Sequence, residues 1–268
     1  MVSITSQVMA AGPDRSLRSV GVTTAGHLLR DWRRTRRMSQ LDLSIEAGIS
    51  TRHLSFVETG RSRPSPEMIL RLAERLDIPL AERNTILLAG GHAPAFPGHD
   101  VDDPALAQVR AAARQILDGH SPNPAALIDR HWHLVEANAA IALFTAGAAP
   151  ELLAPPVNVL RLSLHPDGMA PRIGNLPEWR AHLLDRLRRQ AAATNDSTLY
   201  DLHAELSGYP GGGAEVVTGP SVVVPLRYRE LSFLSTTTLF GTPLDVTVAG
   251  LAVESFFPAD AATARALA

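Results

Sequence analysis

The chain has no cysteine, and none of its 25 basic residues is lysine. Without cysteine there are no disulfides, no thiolate-held zinc and no thiol nucleophile, and such usage fits a reducing compartment. Without lysine a Walker-type phosphate loop is excluded. No apolar run approaches the ~20 residues a membrane span needs, and the first residues lack the charged-then-apolar order of a secretory signal. The expectation is a soluble, cytoplasmic protein without a membrane partner. Hydrophobic residues still make up 45% of the 268, enough for real cores, and this length suits two ordinary domains. Charge is uneven along the chain. Residues 1–96 carry 13 arginines against 9 acids, whereas residues 97–268 carry 12 against 18, so only the first part can approach phosphate broadly.

The richest stretch runs from Ser39 to Ser65, SQLDLSIEAGISTRHLSFVETGRSRPS. Its spacing predicts two short helices around a glycine turn, followed by a basic loop. Leu41 and Ile45 share one face of the first helix, and Leu54 and Val57 share one face of the second. Gly48 sits where a left-handed C-cap reverses the chain, and Ser50 can cap the next helix. Thr51, Arg52, Ser55 and Phe56 are left on the outer side of the second helix. An Arg fork suits guanine, hydroxyls suit either purine, and a ring suits a thymine methyl, so these four are the expected base contacts in a major groove.

Around this pair, a helix is expected from about Thr24 to Arg37, with Leu28, Leu29 and Trp32 inward. Pro66 starts a helix reaching Leu76, and Leu80 to Ala89 makes a fifth. Residues 1–22 read as a mobile arm, 23–92 as an all-α five-helix unit, and 93–104 as a linker dense in Gly, Pro and acid. Residues 105–268 form the second domain. It opens with a helix from Leu106 to Leu117 and strands near Ala126–Ile128 and Trp132–Ala137. Helices follow at Asn138–Phe144, Leu176–Ala193 and Ser197–Leu206, then strands at Ser221–Tyr228, Leu231–Phe240 and Leu244–Phe256. That order points to an α+β domain whose antiparallel sheet carries helices over one face.

The N-terminal segment resembles the repressor-like (Cro/C1, or XRE) helix-turn-helix family. RHLSFVETGRSRPS, ERNTILLAGGHAPAF, LHPDGMAPRIGNLPEWRAHLL and LSTTTLFGTPLDVTVAGLAVESFFPAD extend the resemblance to MmyB-like regulators, whose second domain is a PAS-like ligand-binding module. It implies a transcriptional regulator that binds double-stranded DNA. By position it implies phosphate contacts from Gln40, Arg61 and Arg63, and a helix-to-helix ion pair between Arg33 and Glu58. Arg36 and Arg37, in the basic run beside the helix pair, are further phosphate candidates. Phe56 departs from the polar residue usual at its position. The expected assembly is a homodimer.

The resemblance also implies a small apolar ligand, such as a fatty acid or acyl derivative. Its expected walls are Leu127, Ile141, Phe144, Leu183, Leu187, Val222, Val224, Leu226, Phe233, Leu239 and Val246, although apolar strand faces are equally needed for ordinary packing. Arg180 is the first choice to hold a ligand carboxylate, with Arg172, His182 and Arg229 behind it.

Other chemistry is sparse. His165-Pro166-Asp167-Gly168 is a turn signature. His131-Trp132-His133 places two imidazoles on one strand face but indicates no third metal ligand. Gly208–Gly213 lacks the strand-turn-helix setting of a dinucleotide site, and no nucleophile elbow is present. No catalytic residue, metal or cofactor is expected. The alternatives to a ligand sensor are a protein-recruiting adaptor without a cavity and an enzyme fused to a DNA-binding module.

Overall fold

The computed structural model describes residues 24–213, 223–241 and 243–268. The expected arm at 1–22 and the candidate wall residue Val222 lie outside the described residues.

Five helices form the first unit: α1 (Ala25–Thr35), α2 (Gln40–Glu46), α3 (Thr51–Glu58), α4 (Pro66–Arg75) and α5 (Leu80–Ala89). Local chemistry starts most of them. The side-chain oxygens of Thr24, Ser39, Ser50 and Ser65 each accept from a backbone N–H in the first turn of α1 to α4, satisfying donors that have no partner inside the helix. Ser39 and Asp42 complete a reciprocal capping box,. Between α2 and α3, Gly48 adopts φ +65°, and Ile49 N–H reaches back to Ser44 O at 3.0 Å. This left-handed reversal costs a β-carbon-free residue least.

Leu29, Leu43, Leu54, Val57, Ile69, Leu72 and Ile86 make one core. The helix pair is oriented differently on α2 than its spacing predicts. Leu41 and Ile45 are exposed, while Leu43 and Ala47, also four apart, are buried. Both stripes obey helical periodicity, and packing against α3 and α4 selects the second. Gly26 of α1 lies so close to α3 that a β-carbon there would overlap the Val57 carbonyl oxygen.

The second unit contains α6 (Ala107–Gly119), β1 (Ala125–Ile128), β2 (Leu134–Ala137), α7 (Ala142–Thr145), α8 (Val159–Leu164), α9 (Leu176–Thr194), α10 (Ser197–Ser207), β3 (Leu226–Tyr228), β4 (Leu231–Leu239), α11 (Val246–Ala249), β5 (Ala252–Pro258) and α12 (Ala261–Leu267). The strands form one antiparallel sheet in the order β2-β1-β5-β4-β3, the PAS-like α+β arrangement that the resemblance implies.

Helices cover both faces of the sheet rather than one. Ala126, Ile128 and Phe233 pack with α8, α9 and α10. Ala125, Leu127 and Val253 pack with Ala113 and Leu117 of α6 on the other side. The strand expected over Leu244–Phe256 is divided. Asp245 accepts from Thr247 N–H at 2.8 Å and Val248 N–H at 3.1 Å, capping the short α11, and only then does β5 begin. His131 to His133 belong to the β1-β2 turn, where Trp132 has φ +67°.

The segment between the domains is stitched to both. Asn84 of α5 accepts from Ala95 and Phe96 N–H and donates to Phe96 O. Val246 N–H donates to Pro97 O, Thr247 Oγ1 donates to His99 O, and His99 Nδ1 lies 2.7 Å from Asp245 Oδ2. A chain of bonds therefore runs from α5 to α11. Arg36 adds a second link, donating to Ala193 O of α9 at 3.2 Å.

Candidate functional site

The outward side of α3 carries the first site. Arg52 is exposed, and Thr51, Ser55 and Phe56 are half-buried. Two guanidiniums approach the Phe56 ring, Arg52 at 5.4 Å and Arg61 at 5.9 Å from its centroid. An aromatic face holds such cations by its quadrupole while leaving their N–H groups available. Thr51 is restricted further. Ser44 Oγ donates to Leu41 O and lies 2.9 Å from Thr51 Oγ1, so the Thr51 hydroxyl proton is directed at Ser44 and its lone pairs remain. As a base contact Thr51 can only accept, from an adenine or cytosine amino group.

Behind this face, Arg33 Nε donates to Glu58 Oε1 at 2.7 Å and Arg33 Nη2 to Glu58 Oε2 at 2.8 Å. The bond to Glu58 raises the Arg33 pKa above its ordinary value, against the opposing effect of burial. Gln40 Nε2 also donates to Glu58 Oε2, at 2.7 Å, so only one amide hydrogen remains for a phosphate. Arg36 departs from the expected phosphate role. Its guanidinium donates to Leu76 O and Asp77 O, closing the C-terminal end of α4, and lies over the Trp32 ring. Arg37, Arg61 and Arg63 are exposed.

The second site is a cavity of about 80 Å³ on the inner face of the sheet. Of the expected walls, Ile141, Phe144, Leu183 and Leu226 line it. Leu127 points through the sheet to the α6 side. Leu187, Phe233 and Val224 are core or core-edge residues outside the lining. Leu239 and Val246 line a different cleft. The cavity is completed by residues that the sequence pattern does not mark as walls, among them Ala126, Trp132, Met169, Trp179 and Phe256.

None of the expected anchors lines the cavity. Arg180 donates to Leu206 O and Ser207 O, capping α10. Arg172 donates to Gly168 O and Gly147 O. Arg229 is exposed beside Tyr228. His182 stacks on Trp179, and burial, then Arg186 and Arg189, lower its pKa. The cation at the cavity is Arg186, two turns along α9 from Arg180. It donates to both carboxylate oxygens of buried Glu254 and to Thr237 Oγ1 at 2.7 Å, and sits 4.5 Å from the Trp132 ring centroid. Helical spacing could nominate Arg186, but its partner on β5 is brought there only by the fold.

Arg186, Trp132 and Ile128 also face a larger cleft of about 370 Å³. One wall is Pro79, Leu80, Ala81 and Glu82 of the helical unit. The other includes Asp129, Arg130, Gln190, Asp196, Leu199 and Gly250. Burial pushes the Glu82 carboxyl above its ordinary value; Arg130 opposes this and Asp196 adds to it. Among the described residues Glu82 has no hydrogen-bonded partner. The cleft joins the inner cavity to the helical unit through a shared wall. No helix among the described residues is long and apolar enough to cross a membrane.

Two family models match the chain. One, described as MmyB-like transcription regulator ligand binding domain, covers residues 109–268. The other, described as helix-turn-helix domain, covers residues 24–86. The chain is also similar to the uncharacterized HTH-type transcriptional regulator RghRB of Bacillus subtilis, 37% identical over 73 residues. That match takes in 27% of this chain and 50% of the relative, so the chain spans about half the length of that curated protein.

Proposed function

The chain belongs to the MmyB-like transcription regulators, and from this we propose that it binds its operator as a cytoplasmic homodimer and responds to a small acyl ligand. It is a DNA-binding transcriptional regulator with a ligand-binding domain. In this reading α3 enters the major groove, with Arg52 and Phe56 on base edges, Thr51 accepting a base N–H, Ser55 beside them, and Arg61, Arg63, Arg37 and Gln40 on phosphates.

The observation that carries ligand sensing is the apolar cavity with one cation, Arg186, on its wall. At about 80 Å³ it is well below the ~300–1,000 Å³ of typical ligand sites. A fatty acid therefore needs the wall shared with the cleft to open. Its chain fills the cavity and its carboxylate takes the place of Glu254 on Arg186, a bidentate match of fork and carboxylate. The cleft's other wall is Pro79 to Glu82, so a movement of Arg186 as it exchanges Glu254 for the ligand shifts the support of α5 and with it the helix-turn-helix.

Such a ligand alters operator affinity only by its differential affinity for the two arrangements. Mass spectrometry of lipid co-purified with the full chain, followed by operator binding at fixed salt with and without that lipid, tests the reading. A co-purified acyl compound that changes DNA affinity supports it. Loss of the ligand with DNA affinity unchanged removes the sensing step, and a chain that carries no lipid and responds to none removes the ligand.

A further inference from the structure

The β1-β2 turn bears a second cluster that the acyl-ligand reading does not use. Trp132 turns inward at φ +67°, which leaves the imidazoles of His131 and His133 together on the outside, their ring centroids 6.2 Å apart. Asp129 supplies what the spacing of the two histidines alone does not indicate. Donor atoms of Asp129, His131 and His133 lie within 4.8 Å of one another. His133 Nδ1 is 3.0 Å from Asp129 Oδ2, and His131 Nε2 is 2.9 Å from Asp196 Oδ2. Ligand atoms around a tetrahedral ion with bonds near 2.0–2.1 Å stand about 3.3–3.5 Å apart. One ligand pair, His133 Nδ1 with Asp129 Oδ2, is thus already near that spacing; the contact with Asp196 holds His131 Nε2 and leaves its Nδ1 for the ion, and closing the set needs a shift of at most about 1.5 Å,.

The support around the cluster is built. Asp129 Oδ1 accepts from His131 and His133 N–H, both at 2.8 Å, fixing its carboxylate over the turn. Asp196, the N-cap of α10, orients the His131 ring, as carboxylates do for metal-bound histidines. All four side chains are half-buried.

The cluster also stands at the rim of the interdomain cleft, whose lining includes Asp129, Asp196 and Glu82. Glu82 comes from the other domain and lacks a hydrogen-bonded partner among the described residues; burial disfavours its charge most, Arg130 offsets part of this, and Asp196 adds to it as a like charge. A cation here would act in the same direction as Arg130, favouring the charged carboxylate of Glu82.

We propose that Asp129, His131 and His133, with His131 oriented by Asp196, form a binding site for a divalent transition-metal ion of the zinc class. The mixed imidazole and carboxylate donors suit this class, whereas calcium and magnesium favour oxygen alone. Bound there, the ion ties the β1-β2 turn to the start of α10 and draws Glu82 toward the sensor domain.

The test uses the full chain stripped with a chelator and titrated with Zn²⁺ alone by calorimetry, with Co²⁺ absorption as the second readout. One ion per chain is expected. Asp129→Asn keeps an oxygen for the two backbone donors, so it separates ligation from folding of the turn. It and His133→Gln should each weaken binding about tenfold or more, and Glu82→Gln by about two- to fivefold. His27→Gln and His53→Gln should leave it unchanged. Stoichiometric binding that survives both His131→Gln and His133→Gln, or no binding at all, overturns the site. An unchanged affinity in Glu82→Gln overturns the link between domains. None of these outcomes depends on an acyl ligand, so the two readings fail separately.

Discussion

Arg33 of α1 and Glu58 of α3 meet through two parallel N–H···O bonds of 2.7 and 2.8 Å, with the Glu58 side chain fully buried and that of Arg33 10% exposed. Gln40 of α2 donates to the same carboxylate. One group thus ties three helices of the DNA-binding domain. Glu58→Ala leaves a buried guanidinium and an amide without their acceptor, and the expected loss is ~3–5 kcal/mol, far more than an exposed pair contributes. Urea unfolding of the isolated stretch 24–92 and of the full chain measures it. Wild-type stability in Glu58→Ala would reduce the pair to a surface contact.

Gly26 sets how closely α1 approaches α3. Because a β-carbon there overlaps the Val57 carbonyl, Gly26→Ala must push the recognition helix outward despite alanine's better helix propensity. The expected outcome is a cost of about 1–3 kcal/mol in stability together with weaker operator binding. Gly119→Ala is the control, since nothing lies within 4 Å of its added carbon. Equal melting midpoints for the two variants would contradict the close approach.

Arg52 and Arg61 both approach the Phe56 ring but are expected to act differently. Arg52→Ala should lose ~1–3 kcal/mol at one base position and relax preference there. Arg61→Ala should weaken all sequences alike and reduce the magnitude of the salt slope by about 0.9 for each phosphate that is no longer neutralised. Binding to a panel of single-base operator variants at several salt concentrations reads both. Uniform weakening by Arg52→Ala would make it a phosphate contact as well.

The helix-turn-helix was legible because its signals are local. Serine caps, Pro66 at a helix start and Gly48 at a reversal each act within a few residues. Burial on α2 was not legible, because Leu41 with Ile45 and Leu43 with Ala47 have the same four-residue spacing and only the neighbouring helices choose. On β1 every residue is buried, so alternation vanishes and Leu127 could not be assigned to a face. Asp245 marks the start of α11, but the β-branched Val246, Thr247 and Val248 read as strand. Arg186 and Glu254 are 68 residues apart, and their meeting is a property of the sheet and α9 together.

Cavity occupancy can be tested without changing charge. Ala126 lies on the inner face of β1 and lines the cavity. Ala126→Phe adds enough volume to fill much of about 80 Å³, at a packing cost of about 1–3 kcal/mol. The expected variant binds operator as wild type does in the absence of ligand and no longer responds to an acyl compound. Titration of operator at fixed salt with and without lipid measures this. A wild-type response would place the ligand elsewhere, with the interdomain cleft the next site to fill.

The ligand-binding domain should also lose stability on mild acidification. Burial lowers the His120 pKa, and burial with Arg186 and Arg189 lowers that of His182, although Asp185 and Glu254 pull it upward. An unfolded imidazole titrates near ~6.5. Below that value the unfolded chain binds protons that the folded chain resists, so stability rises with pH across this window. The contribution is fully present above pH ~6.5 and is lost as pH falls through the lower folded values. Melting midpoints of the full chain should therefore fall between pH ~7.5 and ~5.5, above the range where ordinary carboxylates protonate. His182→Asn should flatten that fall, keeping the stacking partner of Trp179 planar while removing the titrating group. An equally steep profile in the variant would assign the acid sensitivity to other groups.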